Sequence, residues 1–323
     1  MTQQPLLEVQ GLKKYFPLKR GLFIKSVVGA VKAVDDVSFA LNSGETLGIV
    51  GESGCGKSTI AKCILRLIEP TAGKVLFEGK DICPLSMTEM RTYRKYMQMI
   101  FQNPYASLDP QMTVAKILEE PLLIQHFGDK QSRRQRIMEI IREVGLDDTH
   151  YDSYPHEFSG GQRQRIAIAR ALVTRPKVII ADEAVSALDV SIQAQILNLM
   201  QQLQQKYGLT YIFISHSLPV IRHISTTIGV LYLGKMMEYA PKKELFAHPE
   251  HPYTQGLLNA VPSLANRRKK GEIILAQDVP SASNPPSGCV FHTRCPYCKD
   301  ICKEQIPELK EVGSHHWVAC HLW

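Results

Sequence analysis

Residues 46–59 read TLGIVGESGCGKST, a short apolar run followed by a loop with three glycines and then a lysine. The run Thr46–Val50 predicts a buried strand, and the residues after the loop predict a helix with Ile60, Ile64, Leu67 and Ile68 on one face. The segment between them, Gly51 to Thr59, matches G-x-x-x-x-G-K-[ST] in the strand-to-helix setting that the motif needs. Glycines let successive backbone N–H groups turn inward around phosphates, and the helix dipole adds positive potential. Gly51, Ser53, Gly54, Cys55, Gly56, Lys57, Ser58 and Thr59 therefore form a candidate nucleoside triphosphate cradle. Lys57 would reach the β- and γ-phosphates, and Ser58 would ligate Mg²⁺.

Upstream, Leu7 to Leu41 alternates apolar and polar residues, most clearly at Val37-Ser-Phe-Ala-Leu41, which predicts antiparallel strands. Downstream, about 103–175 reads as mostly helical, with Ile137, Ile140, Ile141 and Val144 on one stripe. Strands return at Val178–Ala181 and Thr210–Ile214, separated by a helix carrying Ile192, Ile196, Leu199 and Leu203. The order is α/β with a helical insertion. The strand Val178-Ile-Ile-Ala ends in Asp182 and Glu183, and a buried strand seldom ends in adjacent carboxylates without a cation or a reacting water to compensate their desolvation. Asp182 is placed to hold Mg²⁺ and Glu183 to polarise the attacking water. Ser159-Gly160-Gly161-Gln162 opens another helix with exposed backbone N–H groups, a second anion-binding feature in the same chain.

Bulk properties fit a globular protein of one large domain or two: 323 residues, 44% hydrophobic and 21% charged. No apolar run approaches the roughly eighteen residues of a membrane span, and the start MTQQPLLEVQ lacks a signal-peptide pattern, so the expected address is cytoplasmic. The charge of +7 is scattered, with short clusters at Arg133, Arg134 and Arg136 and at Arg267 to Lys270. These read as solvated faces, and no nucleic-acid partner is expected. Residues 262–288, with the run RRKK and PSASNPPSG, read as a surface-wrapped connection.

Six motifs in fixed order resemble the ATPase subunits of ATP-binding-cassette (ABC) transporters. They are the loop at 51–59, Gln102 in MIFQNP, SGGQ at 159–162, the acidic strand at 178–183, SALD at 186–189, and His216 in FISHS. The resemblance implies a P-loop NTPase cassette over 1–240, with a RecA-like core, an antiparallel β subdomain and a helical subdomain at about 103–175. It implies that Gln102 senses Mg²⁺ and the membrane subunit, that His216 contacts the γ-phosphate, and that Phe16, or failing that Tyr15, stacks on adenine. One phosphate loop and one SGGQ imply a pair of ATPases in which each completes the other's ATP site. Two positions depart from the family pattern, Ala184 in place of proline and Ser217 in place of aspartate.

Glu244-Leu-Phe, His251-Pro-Tyr-Thr254, LLNAVP, NPYASLDP and SALDVSIQAQ resemble the branch serving oligopeptide and dipeptide importers, which extends the resemblance over a C-terminal extension at 241–323. That branch implies a homologous partner ATPase, two transmembrane permease subunits, a substrate-binding protein engaged indirectly, and a peripheral place on the cytoplasmic face of the membrane. A nickel or metal-chelate importer, or a soluble ABC ATPase, is the alternative. The extension gathers five of the eight cysteines within residues 288–323; Cys55, Cys63 and Cys83 lie apart and read as core or loop residues. Cys289, Cys295, Cys302 and Cys320 have five, six and seventeen intervening residues, a spacing that admits zinc, iron–sulfur or free thiols. The branch resemblance selects those four as ligands of a four-iron four-sulfur cluster, with zinc as the alternative and Cys298 as an extra. The role expected for the cluster is to staple a tail with too little apolar surface to fold alone.

Overall fold

The computed structural model describes residues 4–20, 26–103, 107–260 and 278–323. Pro104, Tyr105 and Ala106 of NPYASLDP lie outside the described residues, as does most of the expected connection, including Arg267 to Lys270. The chain divides into two compact units, one of residues 1–42, 46–84 and 215–323, the other of 43–45 and 85–214.

In the first unit the alternating N-terminal sequence forms the expected antiparallel pair, Leu7–Arg20 with Ser26–Leu41. Val37, Phe39 and Leu41 are buried while Ser38 and Ala40 are exposed, the period of two that a one-faced sheet requires. Ala72–Phe77 and Lys80–Asp81 extend this sheet. In the second sheet Thr46–Val50, buried at all five positions, runs parallel to Thr227–Tyr232. Lys235–Pro241 returns antiparallel through a turn whose Leu233 and Gly234 both have positive φ, 44° and 79°, the geometry of a tight hairpin. That hairpin lies beyond the strands read from the sequence, where its only local signal is Leu-Gly.

The first helix is shorter than its apolar stripe predicts. It spans Lys57–Ile64, and Arg66 then turns the chain with φ 48°. Ile60 and Ile64 are buried as expected, but Leu67 is 48% exposed. Arg66 is held in this turn by Glu69 and by the carbonyl of Ile82, so tertiary contacts end the helix before the periodicity does.

The C-terminal extension is built into this unit. His316–Val318 pairs with the edge of Lys235–Pro241, aligning Glu238 with Val318 and Tyr239 with Trp317, and Lys310–Gly313 adds a last strand. Phe291 packs among Tyr232 and Tyr253, with ring centroids 5.4 and 5.3 Å away, and all three rings are buried. Beside them Glu238, with no exposure, accepts from the N–H groups of Glu250 and His251 and lies 2.7 Å from His316 Nε2. The tail uses surface outside itself: it adds strands at the edge of Lys235–Pro241, and Phe291 packs against Tyr232 and Tyr253.

The second unit carries three parallel strands, Met97–Ile100, Val178–Asp182 and Thr210–Ile214, in register from Met97 through Val178 to Thr210. Among the described residues its helices include Met87–Arg94, Val114–Ile124, Lys130–Glu143, Gly160–Leu172 and Val190–Tyr207. Ile137, Ile140, Ile141 and Val144 are fully buried, as the stripe predicts. Leu199, Ile196 and Leu203 are buried too, and Gly208 ends their helix in the left-handed conformation. The basic cluster at 133–136 is not a uniformly solvated face. Arg136 is 3% exposed and donates to the carbonyls of Leu172 and Val173, satisfying the C-terminus of Gly160–Leu172, while Arg133 pairs with Glu119. Among the described residues no helix is long and apolar enough to cross a membrane.

Candidate functional site

In the first unit the loop Gly51 to Thr59 leaves a buried strand and enters a helix, as its sequence predicts. Gly51, Gly54 and Gly56 all have positive φ, and Gly56 starts the helix from the left-handed region without any side-chain cap. A Cβ on Gly56 would stand 2.0 Å from the carbonyl oxygen of Ala33, and one on Gly51 2.2 Å from that of Leu231. Glycine is therefore required twice over, by dihedral and by space. Ser53 and Gly54 are exposed, Ser58 and Thr59 half-buried, and Cys55 buried. Burial pushes the Cys55 thiol up, against the opposing effect of Lys57. Lys57 is buried, and its Nζ donates to the carbonyl oxygens of Gly51 at 2.8 Å and Glu52 at 3.0 Å.

Two aromatics are candidates for stacking on an adenine, and their surroundings differ. Tyr15 donates its hydroxyl to Asp35, and burial with that bond pushes its pKa up to about 12. Phe16 is 37% exposed, with Lys14 Nζ 5.0 Å from its ring centroid. His216 is exposed, between buried Ser215 and the helix Leu218–Ile224. Ser217 is the N-cap of that helix, its N–H donating to Ser215 Oγ.

In the second unit Asp182 ends its strand at 5% exposure, and Glu183 follows with φ 49°, a left-handed backbone uncommon for a side-chain-bearing residue. The Glu183 N–H donates to the carbonyl of Ile214, and its own carbonyl accepts from the N–H and hydroxyl of Ser186, so SALD turns back onto the acid and overdetermines its backbone. Gln102 Nε2 donates to Glu183 Oε2 at 2.7 Å, which joins two residues predicted separately. Ser159 caps Gly160–Leu172 in a reciprocal box: Gln162 N–H donates to Ser159 Oγ, and Ser159 N–H to Gln162 Oε1. Ala184, where the family carries proline, is buried.

The loop has partners that no spacing in the sequence indicates. Arg294 donates to both carboxylate oxygens of Glu52, at 2.7 and 3.0 Å, and the N–H of Glu52 donates to the Tyr253 hydroxyl at 3.0 Å. A local signal for either pair does not exist, since Glu52 and Arg294 are 242 positions apart.

In the tail, the N–H of Cys289 donates to the carbonyl of Cys302. Burial, reinforced by neighbouring cysteines, pushes the Cys289 thiol up to about 12 and that of Cys295 up to about 11; Cys320 and Cys302 act on both. Cys298 also acts on Cys295 and is itself acted on by Cys302. Among the described residues no group of three or more His, Cys, Asp or Glu side chains is gathered so that it could hold a metal ion. Cys55 and Cys63 are buried, Cys83 partly so, as isolated core and loop thiols should be.

Two family descriptions match the chain: "ABC transporter" over residues 34–186, and "Oligopeptide/dipeptide transporter, C-terminal region" over 237–302. The oligopeptide transport ATP-binding protein AppF of Bacillus subtilis (strain 168) is 56% identical, covering 100% of this chain and 98% of its own. The dipeptide transport ATP-binding protein DppF of Escherichia coli (strain K12) is 48% identical, covering 98% and 94%. Among solved structures, the ATP-binding cassette MJ0796 in a dimeric post-hydrolysis state bound to ADP and Pi is 29% identical with a TM-score of 0.64, covering 73% of this chain and 98% of its own. CbiO1 from Clostridium perfringens, part of the ABC transporter complex cbiONQ, is 25% identical with a TM-score of 0.66 over 79% and 96%. A putative peptide import ATP-binding protein of Brucella ovis (strain ATCC 25840 / 63/290 / NCTC 10512) is 51% identical over 99% of this chain and 98% of its own.

Proposed function

Since this chain belongs to the ATP-binding subunits of oligopeptide and dipeptide ABC importers and hydrolyses ATP to power peptide uptake, we propose that Gly51 to Thr59 holds the phosphates and that Glu183 orients the attacking water. The Gln102–Glu183 hydrogen bond carries this reading. It sets the carboxylate at a strand end beside buried Asp182, and it makes Glu183 responsive to the segment after Met97–Ile100. Gln102 donates from its amide nitrogen to Glu183, so its amide oxygen is the atom that would serve a cation. That oxygen, the Ser58 hydroxyl and the Asp182 carboxylate are the hard donors that suit Mg²⁺. Mg²⁺, when held by such donors, would supply charge neutralisation of the phosphates. His216 contacts the γ-phosphate, and Phe16 stacks on adenine.

The SGGQ turn completes the ATP site of a homologous partner ATPase, and the pair docks on two permease subunits at the cytoplasmic face, near Gln102. The dimeric state of the related MJ0796 cassette supports pairing. Residues 1–240 form the cassette and 241–323 the peptide-importer extension. Cys289, Cys295, Cys302 and Cys320 would hold a four-iron four-sulfur cluster, which would supply a structural staple when bound. Cys302 and Cys320 act on both Cys289 and Cys295, which supports these four lying near one another. Four irons accept one thiolate each at separate corners of the cluster.

Glu183→Gln in the assembled transporter should keep ATP binding while turnover falls by about 10²–10⁴, the usual worth of a general base. Wild-type turnover would end the assignment. Anaerobic preparation with iron, sulfide and zinc analysis tests the tail: iron and sulfide lost on Cys302→Ser but kept on Cys298→Ser is expected, and a metal-free protein with an ordered tail would remove the cluster.

A further inference from the structure

Glu52 is an acid in an awkward place. It lies inside the loop assigned to a polyanion, and a carboxylate there opposes the phosphates by simple Coulomb repulsion. The fold brings a compensating cation from the opposite end of the chain. Arg294 reaches both oxygens of Glu52, at 2.7 and 3.0 Å, in the paired geometry that makes guanidinium–carboxylate contacts strong and directional. Its side chain is only 3% exposed and that of Glu52 25%, so water screens the pair weakly. Arg294 is itself held: Nη1 lies 3.4 Å from the Tyr232 hydroxyl, the guanidinium sits 5.7 Å from the Tyr232 ring centroid, and the residue follows Phe291 of the buried aromatic cluster. Tyr253 of the same cluster takes the backbone N–H of Glu52, and Lys57 bonds the Glu52 carbonyl. One loop residue is thereby tied at its N–H, its carbonyl and its carboxylate.

We propose that Arg294 and Tyr253 are positioning residues of the nucleotide site: Arg294 neutralises Glu52, and with Tyr253 it anchors the loop, so the C-terminal extension sets the affinity for ATP. This rests on the assignment of residues 51–59 to the phosphates. Here the neutralising charge arrives only when the tail is folded onto Tyr232 and Tyr253.

The test uses the full chain for ATP titration and the assembled transporter for KM and kcat, with Lys57→Ala as the control for the loop itself. Arg294→Met should weaken ATP binding about tenfold, the size of one charge-assisted hydrogen bond, and raise KM with kcat nearly unchanged. Glu52→Gln combined with Arg294→Met should bring affinity back to within about threefold of wild type, because the charge that needed neutralising is gone. Should Arg294→Met fail to melt cooperatively, Glu52→Gln alone carries the test. It deletes the negative charge and keeps Arg294, so ATP should bind at least as tightly as in wild type. Tyr253→Phe should weaken binding by about threefold through the lost acceptor. A purely structural anchor would instead weaken ATP in Glu52→Gln and show no rescue in the double variant, and either result overturns the inference. If Lys57→Ala weakens ATP while folded Arg294→Met binds normally, this inference alone fails. If Lys57→Ala binds normally, the phosphate assignment fails with it.

Discussion

The loop at 51–59 and the turn at 159–162 both open helices with glycines, yet they are held by opposite means. In the first, Gly54 and Gly56 occupy left-handed backbone, and a Cβ on Gly56 would strike a carbonyl at 2.0 Å. In the second, a Ser159–Gln162 capping box fixes the backbone, and neither Gly160 nor Gly161 has positive φ. A Cβ on Gly160 would meet only Leu188 Cδ2 at 3.5 Å, an ordinary contact. Gly161 is tighter, 2.6 Å from a methyl of Ile192. The chain's own fold therefore demands glycine at 56 and makes no such demand at 160. If glycine matters at 160, the reason lies in what approaches from outside, as a partner's nucleotide would.

The sharpest way to break this contrast is Gly56→Ala. Strained dihedral and carbonyl clash together should cost about 3 kcal/mol or more, read as a lowered unfolding midpoint and lost ATP binding. A normal midpoint with normal ATP affinity would show that the loop is not backbone-locked.

The loop's support can be probed through pH. His251 is fully buried beside Glu238, its Nδ1 caps the helix Pro252–Asn259 at Tyr253, and burial lowers its pKa to about 4. The unfolded chain, near 6.5, binds the extra proton first. Stability from this residue is thus complete above pH 6.5 and declines as pH falls toward 4, by at most about 1.4 kcal/mol per pH unit. His251→Asn keeps a capping acceptor and removes the titration, so its unfolding free energy should vary less with pH across that window. An unaltered slope would assign the acid sensitivity elsewhere.

Gly160→Ala addresses the other side of the contrast. The melting temperature of the isolated chain should hold or rise slightly, since alanine is the better helix former. ATP turnover of the assembled transporter should fall about tenfold or more through misplacement of the shared site. Parallel loss of stability would mean that the chain itself needs this glycine. The smallest effect is expected from Ser159→Ala, which removes the cap and should lower stability by about 1 kcal/mol in chemical denaturation.

Several elements were legible because their physics is local. A strand, three glycines and Lys57 within fourteen residues define the loop, an apolar strand ending in Asp182-Glu183 marks the acids, and the 3.6-residue stripe places Ile137, Ile140 and Ile141 in the core. Spacing within a turn or two decides such features, and spacing is what a sequence records. What tertiary structure alone decided involves a choice or a distance. The first helix stopped at Ile64 because Ile82 and Glu69 hold Arg66 in a turn. Arg136 became a helix cap instead of a surface charge because the end of Gly160–Leu172 lies beside it. Glu52, Tyr253 and Arg294 met because two sheet-edge strands and an aromatic cluster fold the last residues back onto the loop. Each depends on where the chain's path brings remote groups into contact, and that path is set by burial of the whole core, with no local pattern to announce it.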